Sequence, residues 1–170
     1  MSNLRSLDYE LKYTARRGET EAVRYLIGLG ANIGADHNSA LHQAVVHGHA
    51  DIVLLLIEHG ANIRAECDSA LRWAARIGSR QIVEILLDNG ANISADANGA
   101  IRWAAEAGHD EIVKYLIDRG ADINKYDGFA LKWAIAKKHT TAIKILSALR
   151  TADGAADSPC ARRRRLAPCD

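Results

Sequence analysis

Residues 69–94 read SALRWAARIGSRQIVEILLDNGANIS, and this stretch decides the fold because close copies of it recur along the chain. The tetrapeptide Gly-Ala-Asn/Asp-Ile returns at a constant interval, beginning at Gly30, Gly60, Gly90 and Gly120. A second glycine series, at Gly18, Gly48, Gly78 and Gly108, precedes the first with the same spacing. A fixed period of this size predicts stacked supersecondary units, each too small to bury its own apolar face.

Each unit is predicted to contain two short helices. In the quoted stretch, Ser69 is a candidate N-cap for a helix over 70–77, which Gly78 ends. Ser79 is a candidate cap for a second helix, whose wide apolar stripe has helical periodicity and stops before Gly90. The residues that follow are predicted to form an extended, turn-rich finger leading to the next unit. The fold class is therefore all-α, a solenoid of stacked helix-turn-helix units with short connecting fingers.

The repeat predicts an array over residues 1–150, followed by a tail over 151–170. Its five units lie at about 7–36, 37–66, 67–96, 97–126 and 127–150, and the first and last are caps with an altered apolar pattern. The tail leaves the register, contains both prolines and lacks an apolar face, so we expect it to be disordered. Its arginine run, 162–165, is compatible with a nuclear import signal, a nucleic-acid contact or no function at all.

Composition excludes several classes of protein. Lys plus Arg number 22 against 21 Asp plus Glu, so net charge identifies no partner. No apolar run approaches the roughly 20 residues that span a bilayer, and the N-terminus lacks an apolar signal segment. Three irregularly spaced cysteines give neither a disulfide framework nor a metal-ligand quartet. We therefore expect an intracellular protein, located in the cytoplasm with the nucleus left open, and no membrane association.

The repeated phrases resemble the ankyrin repeat. Residues 40–44, ALHQA, are similar to that family's Thr-Pro-Leu-His-x-Ala helix start, and Gly48-His49, Ile52-Val53 and Gly60-Ala61-Asn62 follow in the family's order. The period of 30 is shorter than the family's usual value of about 33, which predicts short fingers. Together with the ALRWA phrase, this period is most similar to ankyrin arrays encoded by giant DNA viruses of amoebae.

The resemblance implies a non-catalytic scaffold, expected to be a monomer, that binds a protein on a concave face built by first helices and fingers. One position of the first helix carries a basic residue or histidine in every unit: Lys12, His42, Arg72, Arg102 and Lys132. Further partner-binding candidates lie nearby on the first helices: Arg16, Arg17, His47, Arg76 and Lys137. Many acidic residues fall on the second helices, so the distribution favours an acidic protein partner. The alternative is a nucleic acid or another polyanion.

A structural interpretation competes for two of these candidates. Arg72 and Arg102 are each placed to pair with acidic residues of the fingers, namely Asp36, Glu66, Asp68, Asp96 and Asp127. Such pairs would join neighbouring units and would leave the arginines unavailable to a partner. Exposed pairs of this kind contribute only about 0–1 kcal/mol each.

All three tryptophans of the chain, Trp73, Trp103 and Trp133, share one repeat position, which Tyr13 takes in the first unit. Aromatic anchors often dominate interface energy, and Trp73 and Trp103 are therefore partner-binding candidates. The competing interpretation, which we favour, is partial burial between adjacent first helices.

No constellation of residues indicates a catalytic, cofactor or metal site. The glycine-containing stretch 28–34 follows a helix instead of opening one after a strand, unlike a phosphate-binding loop. His47 and His49 flank a turn without a third ligand, and Cys67 has no recurring histidine partner. We therefore predict that the protein is not an enzyme and uses no cofactor.

Overall fold

A computed structural model describes residues 2–123 and 125–156 of the chain. Within these ranges there are ten helices and no strand, which confirms the all-α prediction. The helices are α1 (Ser2–Arg17), α2 (Thr20–Gly28), α3 (Ala35–Val46), α4 (Ala50–Glu58), α5 (Ala65–Ile77), α6 (Arg80–Asp88), α7 (Ala95–Ala107), α8 (Asp110–Asp118), α9 (Lys125–Lys137) and α10 (Thr140–Ala156).

The helices form two layers. The odd-numbered first helices stack on one another in chain order, and the even-numbered second helices do the same behind them. The core between the layers repeats with the sequence, because one first-helix position is fully buried in four units, at Ala15, Val45, Ala75 and Ala105. A second-helix position is equally buried at Val23, Val53, Val83 and Val113. Small side chains let neighbouring first helices approach closely, so each unit completes the core of the next.

The turn between the two helices of a unit needs glycine for two reasons. Gly78 has a φ of 84°, a left-handed conformation that is strained for other residues. A Cβ at Gly78 would also lie only 2.6 Å from the ring of His109 in the next unit. That ring donates its Nε2–H to the carbonyl of Arg76 at 2.9 Å. Ser79 follows at the start of α6, where its side chain makes no capping hydrogen bond, contrary to prediction.

The finger is not extended as the sequence predicted. Glu66, Cys67 and Asp68 all have left-handed backbone angles, with φ of 50°, 56° and 56°, and they form a single compact turn. Asp36, His37 and Asn38 repeat this turn one unit earlier. With a period of 30 the chain has too few residues for a longer finger, and aspartate and asparagine tolerate left-handed angles better than most residues. The right-handed part of each first helix therefore begins after this turn.

The third position of the left-handed turn ties each unit to the next. It carries a buried polar side chain at Asn38, Asp68 and Asn98, and Asp8 takes the same repeat position in the first unit. Each of these side chains bonds to the backbone of the finger that follows. The bonds run from Asn32 N to Asp8 Oδ1 (2.6 Å), from Asn38 Nδ2 to Asn62 O (3.2 Å), from Asn92 N to Asp68 Oδ1 (2.8 Å) and from Asn98 Nδ2 to Asp122 O (2.7 Å). We call these four side chains the polar ladder.

The end of the array departs from the regular unit. Lys138 takes the place of the inner glycine and adopts its left-handed conformation, with a φ of 61°. Helix α10 continues to Ala156, past the boundary predicted at residue 150, and the alanines at 152, 155 and 156 favour that continuation. The rest of the predicted tail, including arginines 162–165, lies outside the described residues. None of the helices in the described ranges is long and apolar enough to cross a membrane.

Candidate binding surface on the first helices

The indole rings form a column along the first helices. Trp73 and Trp103 meet edge to face with ring centroids 5.3 Å apart, and His42 meets Trp73 in the same way at 5.5 Å. Both tryptophans are half-buried, as expected for side chains between adjacent helices. Trp133 and Tyr13 are exposed, at 36% and 39%. Trp133 lies in the last of the five helix pairs, where no further first helix in the described part of the chain covers it.

Arg76 lies over this aromatic column. Its guanidinium carbon is 5.0 Å from the centroid of Trp73 and 5.3 Å from that of Trp103. The side chain is exposed, and it takes part in none of the ion pairs found within the described residues. Cation–π contact holds the guanidinium in place while its N–H donors remain accessible.

Further cations extend this surface towards both ends of the array. Arg16 has the same repeat position as Arg76 and is exposed, and Arg17 pairs with Glu19 at 2.6 Å in a solvent-exposed contact. Lys137 lies 6.0 Å from the ring of Trp133, and Lys132 lies 5.6 Å from that of Phe129. Exposed His47 is the remaining member. We call this set the basic surface, formed by Arg16, Arg17, His47, Arg76, Lys132 and Lys137.

Arg72 and Arg102 are engaged within the scaffold. Arg72 Nη1 lies 2.7 Å from Asp96 Oδ2, and Arg72 Nη2 donates to the carbonyl of Glu66 at 2.9 Å. Arg102 Nη2 approaches the same Asp96 oxygen at 3.5 Å. This is the arrangement that the structural interpretation predicted, and it joins the third and fourth units. A role in partner binding remains a prediction for both arginines. The side chain of Asp127 lies outside the described part of the chain.

His42 has a different environment from the arginines at its repeat position. Its side chain is half-buried, and this burial lowers its pKa below the ordinary histidine value. The positive charge of Lys12 acts in the same direction, whereas the carboxylate of Glu66 opposes it. His42 is therefore neutral at pH 7, and it lines a pocket of about 200 Å³ between the second and third units.

Several charged side chains of the second helices have polar partners in the same layer. Arg80 Nε donates to Glu84 Oε1 at 2.8 Å, and Thr20 donates its hydroxyl to the carboxylate of Asp51. Arg119, just after α8, reaches Asp88 Oδ1 at 2.8 Å. Within the described residues the arginines at positions 16 and 76 form no such ion pair, and neither do Lys114 and Lys144 on the second helices. No group of side chains within the described ranges is arranged to hold a metal ion.

Sequence reasoning missed the hydrogen bonds that fix the neighbouring units. The rings of His49, His109 and His139 bond to carbonyls of the preceding first helix at 2.9–3.0 Å. A histidine recurring just after the inner glycine position was the available signal. For the polar ladder, the signal was a short Asx side chain recurring at one position in four units.

Comparison with known proteins identifies the repeat. A family model described as ankyrin repeats (3 copies) matches residues 10–67 and 71–156. No curated protein matches the chain. Ankyrin repeats are generally modules for protein–protein interaction, and their fold is typically a non-enzymatic scaffold.

Proposed function

Because this chain belongs to the ankyrin-repeat family, we propose that it is a non-catalytic adaptor that binds a protein partner on its basic surface. The partner presents acidic side chains to Arg16, Arg17 and Arg76. The observation that carries this proposal is the position of Arg76, which is stacked on two tryptophans, exposed and without an ion pair among the described residues.

Physical reasons favour this surface over the second-helix face. Arginine and tryptophan are enriched among the residues that dominate interface energy. A guanidinium already held against aromatic rings loses less conformational freedom when a carboxylate binds it. Several cations on one face also accelerate encounter with an acidic partner, an effect that salt weakens. The second helices carry more acidic than basic side chains and offer an acidic partner no comparable positive field.

Affinity capture with a charge-reversed variant tests the proposal. The triple variant R16E/R17E/R76E is compared with wild type and with R24E/K114E/K144E, which makes the same charge change at three exposed second-helix positions. Circular dichroism verifies that both variants fold. We expect proteins captured by wild type and by the second-helix variant to be lost with R16E/R17E/R76E. Loss with the second-helix variant alone, or identical capture by all three, would contradict the proposal.

A nucleic acid is the competing partner, because the exposed guanidinium groups of Arg16 and Arg76 offer donors that phosphate groups also accept. Titration with DNA and RNA at two salt concentrations separates the two functions. A polyanion-binding function predicts affinity that falls steeply with salt and is lost in R16E/R17E/R76E. The protein-adaptor function predicts only weak, non-specific binding, at the same level in wild type and in R16E/R17E/R76E.

The oligomeric state, compartment and source belong to the same proposal. We expect a monomer located in the cytoplasm, and size-exclusion chromatography with light scattering measures the first of these properties. The 30-residue period supports a source among giant DNA viruses of amoebae, in which case the partner is a protein of the host cell.

A further inference from the structure

We propose that the pocket between the second and third units binds the guanidinium of an arginine side chain supplied by a partner. The pocket is lined by Lys12, Asp36, His37, His42, Gln43, Glu66 and Ser69, among others. The pocket is distinct from the basic surface. The basic surface binds acidic side chains, whereas the pocket binds a cation. The inference therefore goes beyond the proposed function and adds a second, cationic element to what the partner must present.

The chain itself shows how a guanidinium is held one unit further on. Arg72 donates to the carbonyl oxygen of Glu66 at 2.9 Å and pairs with Asp96 Oδ2 at 2.7 Å. Its guanidinium carbon also lies 5.5 Å from the ring centroid of Trp103. A carbonyl from one finger, a carboxylate from the next and an aromatic ring thus form the binding site for this intramolecular arginine.

Moving back by one period of the repeat gives the corresponding groups around the pocket. They are the carbonyl of Asp36, the carboxylate of Glu66 and the ring of Trp73. No arginine is present here, because His42 takes the repeat position of Arg72. The His42 ring meets Trp73 edge to face, with ring centroids 5.5 Å apart. None of the ion pairs within the described part of the chain uses Asp36 or Glu66. By repeat position, the acceptors that hold Arg72 therefore have counterparts in the lining of this pocket, whereas the guanidinium has none.

The pocket is open where two side chains are smaller than in another unit. A counterpart between the fourth and fifth units is lined at equivalent repeat positions, yet it holds only about 10 Å³ against about 200 Å³ here. Arg102 and Phe129 line that counterpart where the open pocket has His42 and Ser69. A water molecule takes up roughly 30 Å³ in the liquid, so the open pocket has room for several waters or for the end of an arginine side chain.

The charges around the pocket favour a planar cation. Two carboxylates, Asp36 and Glu66, outweigh the single ammonium group of Lys12. Burial lowers the pKa of His42, so its neutral imidazole does not repel a cation at pH 7. The forked donors of a guanidinium match a carboxylate and a carbonyl at the same time, which a lysine ammonium group does less well.

Titration of the full ¹⁵N-labelled chain with N-acetyl-arginine amide tests the pocket. Amide resonances of Gln43, Ser69 and Ala70 are followed by NMR. We expect saturable shifts with a dissociation constant on the order of millimolar, because only one small group binds. N-acetyl-citrulline amide has the same shape without the charge, and we expect it to bind at least about tenfold more weakly, since a charge-assisted bond is lost.

Two variants and a matched control decide the outcome. H42R fills the pocket from within, as arginine does at this position in the next two units, and we expect it to abolish the shifts. E66Q removes the carboxylate and should weaken binding several-fold, whereas E58Q, an equivalent change at an exposed site on α4, should leave it unchanged. If H42R fails to fold, the comparison of E66Q with E58Q still decides.

Several outcomes would overturn the inference: equal binding by wild type and folded H42R, equal binding of the citrulline probe, equal effects of E66Q and E58Q, or no saturable shift. No partner protein takes part in this titration. A negative result would therefore remove the arginine pocket and leave the proposed adaptor function to its own test.

Discussion

At the scale of single residues, the array provides its own controls, because equivalent positions in different units have different surroundings. Gly48 and Gly78 are both left-handed turn glycines, with φ of 78° and 84°. A Cβ at Gly78 would collide with His109, whereas a Cβ at Gly48 would meet nothing within 4 Å. The difference arises because the unit after Gly48 has Ser79 instead of histidine.

We predict that G78A destabilises the protein more than G48A does. Backbone strain costs roughly 1–2 kcal/mol in both variants. In G78A the imidazole must also move away from the Arg76 carbonyl, which adds about 1 kcal/mol for the lost hydrogen bond. Urea unfolding measures both variants, and the additional substitution H109S should bring G78A close to G48A. Equal unfolding midpoints for the two glycine variants would contradict this explanation of the recurring glycine.

The protonation of His42 is a second prediction at this scale. Burial lowers its folded pKa below the unfolded value of about 6.5. Unfolded chains therefore bind more protons between the two values, so the stability contribution is present above pH 6.5 and is lost as the pH falls towards the folded pKa. Lys12 and His47 oppose protonation, whereas Glu66 favours it; Asp36 and His37 are the other ionisable side chains that line the pocket.

NMR titration of the His42 ring should give a midpoint below 6.5, and H42Q should lose less stability than wild type between pH 7 and pH 5. All other histidines are common to the two proteins, so the difference isolates His42. A midpoint at or above 6.5 would show that the side chain is not held in a desolvated neutral form.

At the scale of elements, the sequence predicted the helices, which follow from hydrophobic periodicity. It missed the conformation of the finger, which depends on turn geometry. The second helix after Ser79 and the left-handed Gly78 and Gly90 followed from recurring residue types. The finger did not, because three consecutive left-handed residues such as Glu66, Cys67 and Asp68 have no common local signature. The polar ladder was missed because its bonds join residues of neighbouring units, a distance that local sequence patterns do not report.

The place of a helix in the stack also decides how much a side chain at a given repeat position contributes to stability. Val45 and Ile135 share one repeat position, yet Val45 is fully buried and Ile135 is 54% exposed because α9 belongs to the last helix pair. We predict that V45A costs about 2 kcal/mol, the cost of a cavity between stacked helices. I135A removes more atoms but should change stability by no more than about 0.5 kcal/mol.

Thermal or urea unfolding of the two variants checks this prediction, and wild type serves as the common reference. A larger loss for I135A than for V45A would mean that α9 is covered in solution, by the chain or by a second copy of it. Light scattering would then distinguish those two explanations.

At the scale of the whole molecule, the proposed function rests on how basic and acidic side chains are divided between the two layers. Net charge is close to zero, yet the second helices carry more acidic than basic side chains and the first-helix layer exposes arginines beside its indole rings. The sequence indicated this division through the repeat register. It left open whether Arg72 and Arg102 bind a partner or pair with a finger, because the sequence is compatible with both. Only the distances between the guanidinium groups and the finger carboxylates distinguish these alternatives.

Binding of the partner on the first-helix layer can be detected directly from the NMR resonances of the tryptophan side chains. All three tryptophans of the chain occupy one first-helix position, so a chain labelled with 5-fluorotryptophan reports on that layer alone. Its ¹⁹F NMR spectrum is recorded with and without a captured partner, and R24E/K114E/K144E serves as the control. We expect saturating partner to shift the Trp73 and Trp103 resonances in wild type and control alike. A partner that binds to saturation and leaves all three resonances unmoved would contradict this prediction.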